Sequence, residues 1–419
     1  MTRVRRSDTV ASGLIAQLPP AATVAAVRRG RSTVVGVDPG EVVVAAGGDG
    51  FSALDTLAAG FWVGWCAFEL GHASERVTAR GASLELPTVP DVVFARFDAV
   101  AVVDERGRVA LRGDGPGRAR LERAVLAADD RTRCPDPIAS GAWRSSIDRD
   151  AYYDRVETVL ELLRAGECYQ VNLTRRLTCD RALDPVALYA TLAHTHPAPY
   201  PSLLRLPELG SGTAVVSASP ECYLRRRGAV VETRPIKGTA ATRATLRASA
   251  KDHAENVMIV DLARNDLGRV CEPGSIQVPA LCEVESHPGL HHLVSTVRGR
   301  LRADVSTGAL VDATFPPASV TGAPKPRVLQ AIEDLEPVRR GVYCGALGWI
   351  DTATGDADLA VAIRTFTVLG TGDAGCTHLG VGGGIVADSR PDAEWRETEL
   401  KASRLLRVAG ADAAARVAS

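Results

Sequence analysis

The chain has 419 residues, 46% of them hydrophobic, so it can bury a large core as one large unit or as two halves. A formal net charge of −1 with interspersed charges argues against a nucleic-acid-binding protein or a polybasic membrane protein, and no apolar run is long enough to span a membrane. The nine cysteines form no Cys-x-x-Cys pair, and Pro19 and Pro20 interrupt the early apolar segment, so we expect a reduced, cytoplasmic enzyme without a signal peptide.

Strand patterns separated by glycine and proline dominate the first 103 residues, as in STVVGVD (32–38) and EVVVAAGG (41–48). Residues 104–145 are more polar and contain several helix breakers, which is typical of a connector with one short helix. The helical period of residues 149–165 then follows Asp148, a capping residue type, and stops before Gly166. Beyond this helix, strands and helices alternate without a regular βαβ rhythm.

A β-hairpin is predicted where ECYLRRRG (221–228) is followed by AVVETRPIKG (229–238), with the turn near the glycine that ends the first segment. Counted outward from that turn, Glu221 and Lys237 both lie at the open end of the hairpin. A carboxylic acid and an amine placed together can act as a general acid and a nucleophile. The commoner use of such a pair is a strand-end salt bridge, and the local sequence leaves both interpretations open.

Lysine is rare in this chain, because the 49 basic residues are 45 arginines and four lysines. The four are Lys237, Lys251, Lys325 and Lys401. Arginine supplies positive charge elsewhere, so a lysine indicates a place that needs a compact amine able to lose its proton.

Two predicted helices carry polar groups where a ligand can be held. SAKDHAENVMIVDLARNDLG (249–268) predicts a helix capped by Ser249, with Glu255 on the face of its apolar residues. An acid there pairs with a cation or metal, or is favoured by the helix dipole near the N-terminus. SVTGAPKPRVLQAIEDLE (319–336) predicts a helix that begins at Pro324, shortly after Thr321. The free backbone N–H groups at this helix N-terminus either bind a carboxylate or phosphate ligand or are satisfied by ordinary capping.

Two segments near the end of the chain also carry residues that can hold a ligand. LGVGGGIVADS (379–389) predicts a strand interrupted by three glycines at 382–384, which let a ligand approach the backbone or mark a bulge. It is not a dinucleotide-binding fingerprint, because Ile385 stands where the last glycine would be needed. EWRETELKASRLL (394–406) predicts a helix with Glu397 and Lys401 four residues apart, by default a solvated salt pair.

The order of the motifs resembles that of the chorismate-binding enzymes. The matching segments are GECYQVNL, SASPECYL, TRPIKGT, AENVMIVDLARNDLGR, HHLVSTVRG, SVTGAPKPR, YCGALGWI, AIRT, GGGIVADS and EWRETELK. The similarity is dense over residues 146–408 and extends to GFWVGWCAFELG (60–71). It implies an α+β fold, a layered α/β/β/α sandwich with two large packed antiparallel sheets. Residues 1–145 would form an N-terminal subdomain of the same sandwich, and residues 146–419 the catalytic region.

The same resemblance implies chorismate as substrate and Mg²⁺ as cofactor. Glu255 and Glu397 resemble the two metal-ligating glutamates of the family, and carboxylate oxygens are ligands that Mg²⁺ prefers. The substrate-binding groups that the resemblance implies are Gln170, His292, Thr321, Tyr343, Arg364, Gly383, Gly384 and Lys401.

Two positions separate the activities of the family. Members that form isochorismate or salicylate have a water-activating lysine in the place of Gln170, and a glutamine cannot take up a proton at neutral pH. Members that form anthranilate read Pro-Ile-Ala-Gly-Thr where this chain has PIKGT (235–239). The chain is therefore similar to members that make 4-amino-4-deoxychorismate. In these, the lysine (here Lys237) attacks C2, ammonia then attacks C4, and Glu221 resembles the general acid that protonates the leaving hydroxyl.

Ammonia is expected from a separate glutamine amidotransferase subunit, because the chain has no Gly-x-Cys-x-Gly elbow of a glutaminase. The resemblance implies that the product feeds p-aminobenzoate and folate biosynthesis. Three alternatives remain: that the chain is the large subunit of an anthranilate or aminodeoxyisochorismate synthase, that it performs the same reaction in an antibiotic pathway, or that it is a noncatalytic partner of an amidotransferase.

Overall fold

The computed structural model describes residues 6–75, 77–78, 89–128, 138, 141–287 and 290–411. The helices of these residues are α1 (Arg6–Ala16), α2 (Asp49–Ala53), α3 (Gly71–Glu75), α4 (Arg118–Ala127), α5 (Arg149–Arg164), α6 (Pro185–Thr195), α7 (Arg243–Ala248), α8 (Ala250–Gly268), α9 (Thr307–Thr314), α10 (Lys325–Leu335) and α11 (Pro391–Val408). Short 3₁₀ turns cover Phe68–Leu70 and Ala318–Val320. Within this described part, no helix is both long and apolar enough to cross a membrane.

The strands of the same residues are β1 (Val24–Arg29), β2 (Ser32–Val37), β3 (Glu41–Ala45), β4 (Phe61–Cys66), β5 (Val92–Arg96), β6 (Val100–Val103), β7 (Val109–Arg112), β8 (Trp143–Ser145), β9 (Gln170–Cys179), β10 (Tyr200–Leu206), β11 (Thr213–Ser219), β12 (Cys222–Arg227), β13 (Val230–Arg234), β14 (Ile236–Ala240), β15 (Gln277–His287), β16 (Leu290–Arg300), β17 (Gly322–Ala323), β18 (Ala346–Asp351), β19 (Asp356–Val361), β20 (Thr365–Leu369) and β21 (Cys376–Ile385).

These strands form two large antiparallel sheets. The first has the order β17-β9-β21-β20-β11-β10-β1-β2-β6-β7, with β8 also paired to β9. The second has the order β14-β16-β13-β12-β19-β18-β4-β5-β3, with β15 also paired to β16. The predicted pair of large antiparallel sheets is therefore confirmed. The predicted division near residue 145 stays a prediction.

The sheets pack against each other through alternating side chains, as β1 shows. Ala25 and Val27 join a core cluster with Trp65 and Trp349 of the second sheet, whereas Val24 and its neighbour at 26 face a cluster formed with the outer helices. Successive side chains of a strand point to opposite faces, so a strand in the middle of a layered fold is apolar throughout. This explains why β1 is buried over nearly its whole length.

Helices cover the outer faces of both sheets. α1, α4, α6 and α11 supply buried residues to the cluster outside the first sheet, and α8 packs on β14 and β16 of the second. Asn256 of α8 fixes this contact, because its side-chain amide donates a hydrogen bond to the backbone oxygen of Leu293 at 3.2 Å. The result is the predicted α/β/β/α layering.

Local predictions succeed where a capping or turn signal exists. Asp148 caps α5 by accepting from the backbone N–H of Ala151, and Ser249 caps α8 by accepting from that of Asp252. The predicted hairpin is β12 paired antiparallel with β13. The predicted interruption at residues 382–384 is wrong. β21 runs unbroken through these glycines, because β9 pairs with it along Thr377–Ile385 and holds it in the ladder.

The site-bearing segments meet where the end strands of the two sheets approach each other. β17 ends the first sheet beside β9, and β14 ends the second beside β16. The amine of Lys237 on β14 reaches the carbonyl oxygen of Ser319, just before β17, at 3.4 Å. The fold thus brings the two sheet edges into contact at this lysine.

Candidate active site

Lys237 lies on the end strand β14, one residue before a break in the pairing register with β16. Gly238 makes this break possible, because its φ of 76° lies in the left-handed region that glycine adopts without strain. The side chain of Lys237 is only 11% exposed, and its Nζ is 3.9 Å from an oxygen of Glu255. Burial lowers the pKa of the Lys237 amine, although Glu255 and Glu221 act in the opposite direction. A lowered pKa favours the neutral amine, which is the nucleophilic form.

Glu221 lies between β11 and β12 and is only 4% exposed. Burial raises the pKa of its carboxyl to about 7, against the effects of a hydrogen bond with the Ser319 side chain and of the positive charge of Lys237. The backbone N–H of Ile236 also donates to this carboxyl. A carboxyl that stays partly protonated at neutral pH is suited to general acid catalysis. Glu221 and Lys237 therefore share one electrostatic site at the open end of the hairpin.

Glu255 and Glu397 approach this site from two different helices. Glu255 on α8 is also 3.8 Å from Lys251, and Glu397 on α11 pairs with Lys401 at 2.7 Å. Burial acts to raise the pKa of Glu397, but Lys401, Lys251 and Lys237 outweigh it, so the net shift is downward. Lys237 interacts with both glutamates. The two carboxylates thus surround the same amine.

The donor set at this position fits Mg²⁺. In the described residues, no group of three or more His, Cys, Asp or Glu side chains lies close enough to hold a metal ion by itself. Mg²⁺ needs no such cage, since it is bound by one or two carboxylates and keeps waters or substrate oxygens as its other ligands. Gly383 leaves room beside the carboxylates, because a Cβ there would lie 3.2 Å from Glu394 and 3.8 Å from Glu397. Glu255 and Glu397 are therefore the residues that can hold the ion.

All four lysines form ion pairs with carboxylates of α8 or α11. Besides the pairs of Lys237, Lys251 and Lys401, Lys325 binds Asp266 of α8 at 2.7 Å. The rarity of lysine in the sequence therefore marks residues that pair with carboxylates of these two helices. The sequence predicts a nucleophilic role for Lys237 alone.

The Lys325–Asp266 pair is a buried tie between α8 and the first residue of α10. The two side chains are 7% and 9% exposed, and Lys325 also donates to the backbone oxygen of Thr314 at 3.0 Å. Burial lowers the pKa of the Lys325 amine and raises that of the Asp266 carboxyl, and each partner opposes the shift of the other. The pair fixes the position of the helix that carries Glu255.

Asp266→Asn is expected to lower the free energy of unfolding by about 3 kcal/mol, because it leaves the Lys325 ammonium buried without its counterion. The control is Asp261→Asn on the same helix, where the pair with Arg264 is exposed and a loss within about 0.5 kcal/mol is expected. Urea unfolding of both variants measures the difference. Equal losses would show that the buried pair does not hold α8.

Gln170 is completely buried at the start of β9, and neither atom of its side-chain amide has a hydrogen-bond partner within the described residues. It lies against Gly384, where a Cβ would be 2.7 Å from its Nε2. A buried amide without partners is costly, unless a ligand supplies the missing hydrogen bonds. The role of Gln170 in substrate binding stays a prediction, which this amide without partners supports.

Three more of the predicted residues border the same region. Thr321 is fully buried and donates to the backbone oxygen of Pro317 at 2.9 Å, and His292 on β16 is joined to Thr239 at 2.9 Å. Arg364 has a φ of 53° just before β20. Burial and Arg404 lower the pKa of its guanidinium, whereas Glu221 raises it, which places Arg364 in the field of the Glu221 carboxyl.

Tyr343 makes its contacts elsewhere. Its ring packs flat on Gly380, where a Cβ would come within 2.1 Å of the ring. Tyr343 lines a cavity together with Arg176, Thr367 and His378. The structure therefore places Tyr343, in the turn before β18, against the middle of β21 and beside a cavity that Glu221 does not line.

Sequence reasoning missed two residues of the site. Ser319 bridges the pair, since its carbonyl accepts from Lys237 and its side chain bonds Glu221. Glu394 is buried beside Glu397, with its carboxyl bound by the Ser389 hydroxyl at 2.7 Å. Ser319 opens the quoted SVTGAPKPR motif and Glu394 opens the quoted EWRETELK motif, so those motifs were the available signals.

Comparison with known proteins identifies the family to which this chain is similar. The pattern of the chorismate binding enzyme family matches residues 30–407. Aminodeoxychorismate synthase component 1 of Klebsiella aerogenes is 39% identical over 356 residues, which cover 82% of this chain and 76% of the relative. Anthranilate synthase component 1 of Streptomyces coelicolor is 39% identical over 319 residues, which cover 74% of this chain and 60% of the relative.

A solved structure agrees with the observed sandwich. Anthranilate synthase component I from Streptococcus pneumoniae TIGR4 superposes with a TM-score of 0.76 at 28% identity, over 90% of this chain and 92% of that structure. The sequence match, the shared fold and the order of the motifs agree. The chain belongs to the family of chorismate binding enzymes.

Proposed function

We propose that this chain converts chorismate and ammonia into 4-amino-4-deoxychorismate, with Lys237 as a covalent nucleophile. The observation that carries the proposal is the position of Lys237, which is buried between Glu221 and Glu255. An arginine or alanine there would provide no neutral amine for attack. The similarity to aminodeoxychorismate synthase component 1 of Klebsiella aerogenes supports the same assignment.

The first half of the reaction uses the acid and the amine together. The neutral amine of Lys237 forms a bond to C2 of the ring, the double bond shifts, and the C4–O bond breaks. Glu221 gives its proton to the departing hydroxyl, which leaves as water. Burial prepares both groups, because it favours the neutral amine and the protonated carboxyl at the same pH.

The remaining residues orient the substrate. Glu255 and Glu397 would hold Mg²⁺, which when bound neutralises and positions a substrate carboxylate. Arg364 offers a guanidinium fork that suits the second carboxylate. Lys401, held between Glu397 and the backbone oxygen of Gly382 at 2.7 Å, adds positive charge at the same place.

The product tests this proposal. The purified chain, with chorismate, Mg²⁺ and an ammonium salt, is expected to form 4-amino-4-deoxychorismate, identified by mass and by NMR of the ring. The second candidate is anthranilate formation, which the 39% identity to the Streptomyces coelicolor enzyme favours. Anthranilate as the main product would establish that candidate, and no turnover would favour a noncatalytic role.

Nitrogen supply is expected to depend on a partner. The name component 1 in the Klebsiella aerogenes relative implies a second component there, and we propose a glutamine amidotransferase subunit for this chain. The isolated chain should use ammonium salts and not glutamine, and added amidotransferase subunit should enable glutamine use. Product formation from glutamine by the chain alone would contradict the expected partner. We further propose supply of p-aminobenzoate for folate synthesis in the cytoplasm.

A further inference from the structure

A cavity lies beside Glu221, between α8 and the second sheet. Its lining includes Glu221 and Ser319, which are also the groups joined to Lys237. One wall is a stripe of α8 formed by Ile259, Ala263 and Leu267, which are four residues apart and therefore share one helix face.

The opposite wall comes from the strands of the second sheet. Leu224 of β12 and Val361 of β19 line it, and both are at most 2% exposed. The α8 stripe is buried as well, with Ala263 the most exposed of the three at 7%. Glu221 thus borders a space on the side of α8 whose lining combines these apolar residues with the Asp266 carboxyl and the hydroxyls of Thr233, Thr314 and Tyr223.

We propose that this cavity is the binding site of ammonia for the second half of the reaction. The inference rests on the proposed function and extends it to the second substrate. In that reaction water leaves C4 beside Glu221, and ammonia must reach the same carbon. Glu221, the proposed acid for the departing water, lines the cavity, so ammonia held there would lie beside the same carboxyl. The Asp266 carboxyl and the hydroxyls of Thr233 and Thr314 in its lining are acceptors for the N–H groups of ammonia.

The proton balance closes at Glu221. After the first half, Glu221 is a carboxylate and Lys237 is bound to C2 as a secondary ammonium. Ammonia forms a bond to C4 with its lone pair, the double bond shifts back, and the C2–N bond breaks so that Lys237 leaves as a neutral amine. The new C4 ammonium group gives one proton to the Glu221 carboxylate. Both residues return to their starting protonation states, and the net products are 4-amino-4-deoxychorismate and water.

Ala263→Leu tests the assignment by filling the cavity. The Michaelis constant for ammonium, measured with saturating chorismate and Mg²⁺, is expected to rise at least tenfold. The rate of Lys237 adduct formation from chorismate without ammonia should stay within twofold of the parental rate, because that half of the reaction does not use the cavity. Ala263→Val adds less volume and should give a smaller rise in the same constant.

The control is Ala124→Leu in α4, a buried alanine in the cluster outside the first sheet. It carries a similar overpacking cost of about 1–3 kcal/mol, and the Michaelis constant for ammonium should not change. Unchanged ammonium constants in both folded Ala263 variants, or an equal loss in adduct formation, would overturn the cavity assignment alone. A parent chain that makes no 4-amino-4-deoxychorismate from ammonium would overturn the proposed function, and the cavity assignment with it.

Discussion

Lys237→Ala is expected to lower the formation of 4-amino-4-deoxychorismate by several orders of magnitude, the scale seen when a covalent nucleophile is removed. The substitution truncates one side chain at the end of β14 and leaves Glu255, Glu397 and Arg364 in place. Residual amination is expected at C2, because the variant carries the Pro-Ile-Ala-Gly-Thr sequence of anthranilate-forming enzymes. Product analysis with chorismate, Mg²⁺ and ammonium measures both the loss and the position of the amino group.

The matched control is Lys251→Ala, which removes another lysine that pairs with Glu255. Its side chain is 54% exposed, so a loss of no more than about tenfold is expected from this weak surface pair. Near-parental synthesis of 4-amino-4-deoxychorismate by Lys237→Ala would exclude the lysine as nucleophile. Equal losses in the two variants would assign Lys237 an electrostatic role like that of Lys251.

Glu255→Gln and Glu397→Gln are each expected to lower turnover by at least about 100-fold. Loss of an outer-shell partner of a metal costs up to about 100-fold, and loss of a direct ligand is expected to cost at least as much. An amide keeps the shape of the side chain but removes the negative charge that Mg²⁺ requires. Both variants should keep the parental circular dichroism spectrum, because neither residue lies in the buried core. Calorimetric titration with Mg²⁺ should show weaker binding in each.

The control for this pair of variants is Asp392→Asn on α11, which removes a carboxylate from an exposed ion pair with Arg396. Its turnover and its Mg²⁺ affinity should match those of the parent chain. Parental turnover by Glu255→Gln or Glu397→Gln at saturating Mg²⁺ would remove that residue from the metal site. Lost turnover with unchanged Mg²⁺ affinity would assign it to substrate binding.

Local signals account for the parts of the structure that the sequence predicted best. Asp148 and Ser249 mark their helices because capping depends on residues within one turn. The hairpin count placed Glu221 and Lys237 at one end because register follows from the turn. The order of the motifs predicted the two packed sheets through resemblance to the family, which local patterns alone did not specify.

Contacts between residues far apart in the chain determine the parts of the site that the sequence did not predict. Glu255 and Glu397 approach the same lysine only because α8 packs on β14 and β16 of one sheet and α11 on β21 of the other, which no spacing along the chain reveals. Glu394 joins them through Gly383, where the absent side chain leaves room. Lys325 was visible as a rare lysine, but its pairing with Asp266 depends on how α8 packs against the start of α10. The contacts of Tyr343 around Gly380 likewise depend on packing of a loop against β21.

Peptide mapping by mass spectrometry after rapid quenching tests the central claim most directly, the covalent role of Lys237. The purified chain is mixed with chorismate and Mg²⁺ without ammonia, quenched over time and digested. The account predicts that the peptide containing Lys237 gains the mass of chorismate minus water, and that added ammonium removes this mass as 4-amino-4-deoxychorismate appears. The account would be contradicted by an adduct on a different residue, or by a Lys237 peptide that stays unmodified at every time point in a chain that forms 4-amino-4-deoxychorismate once ammonium is added.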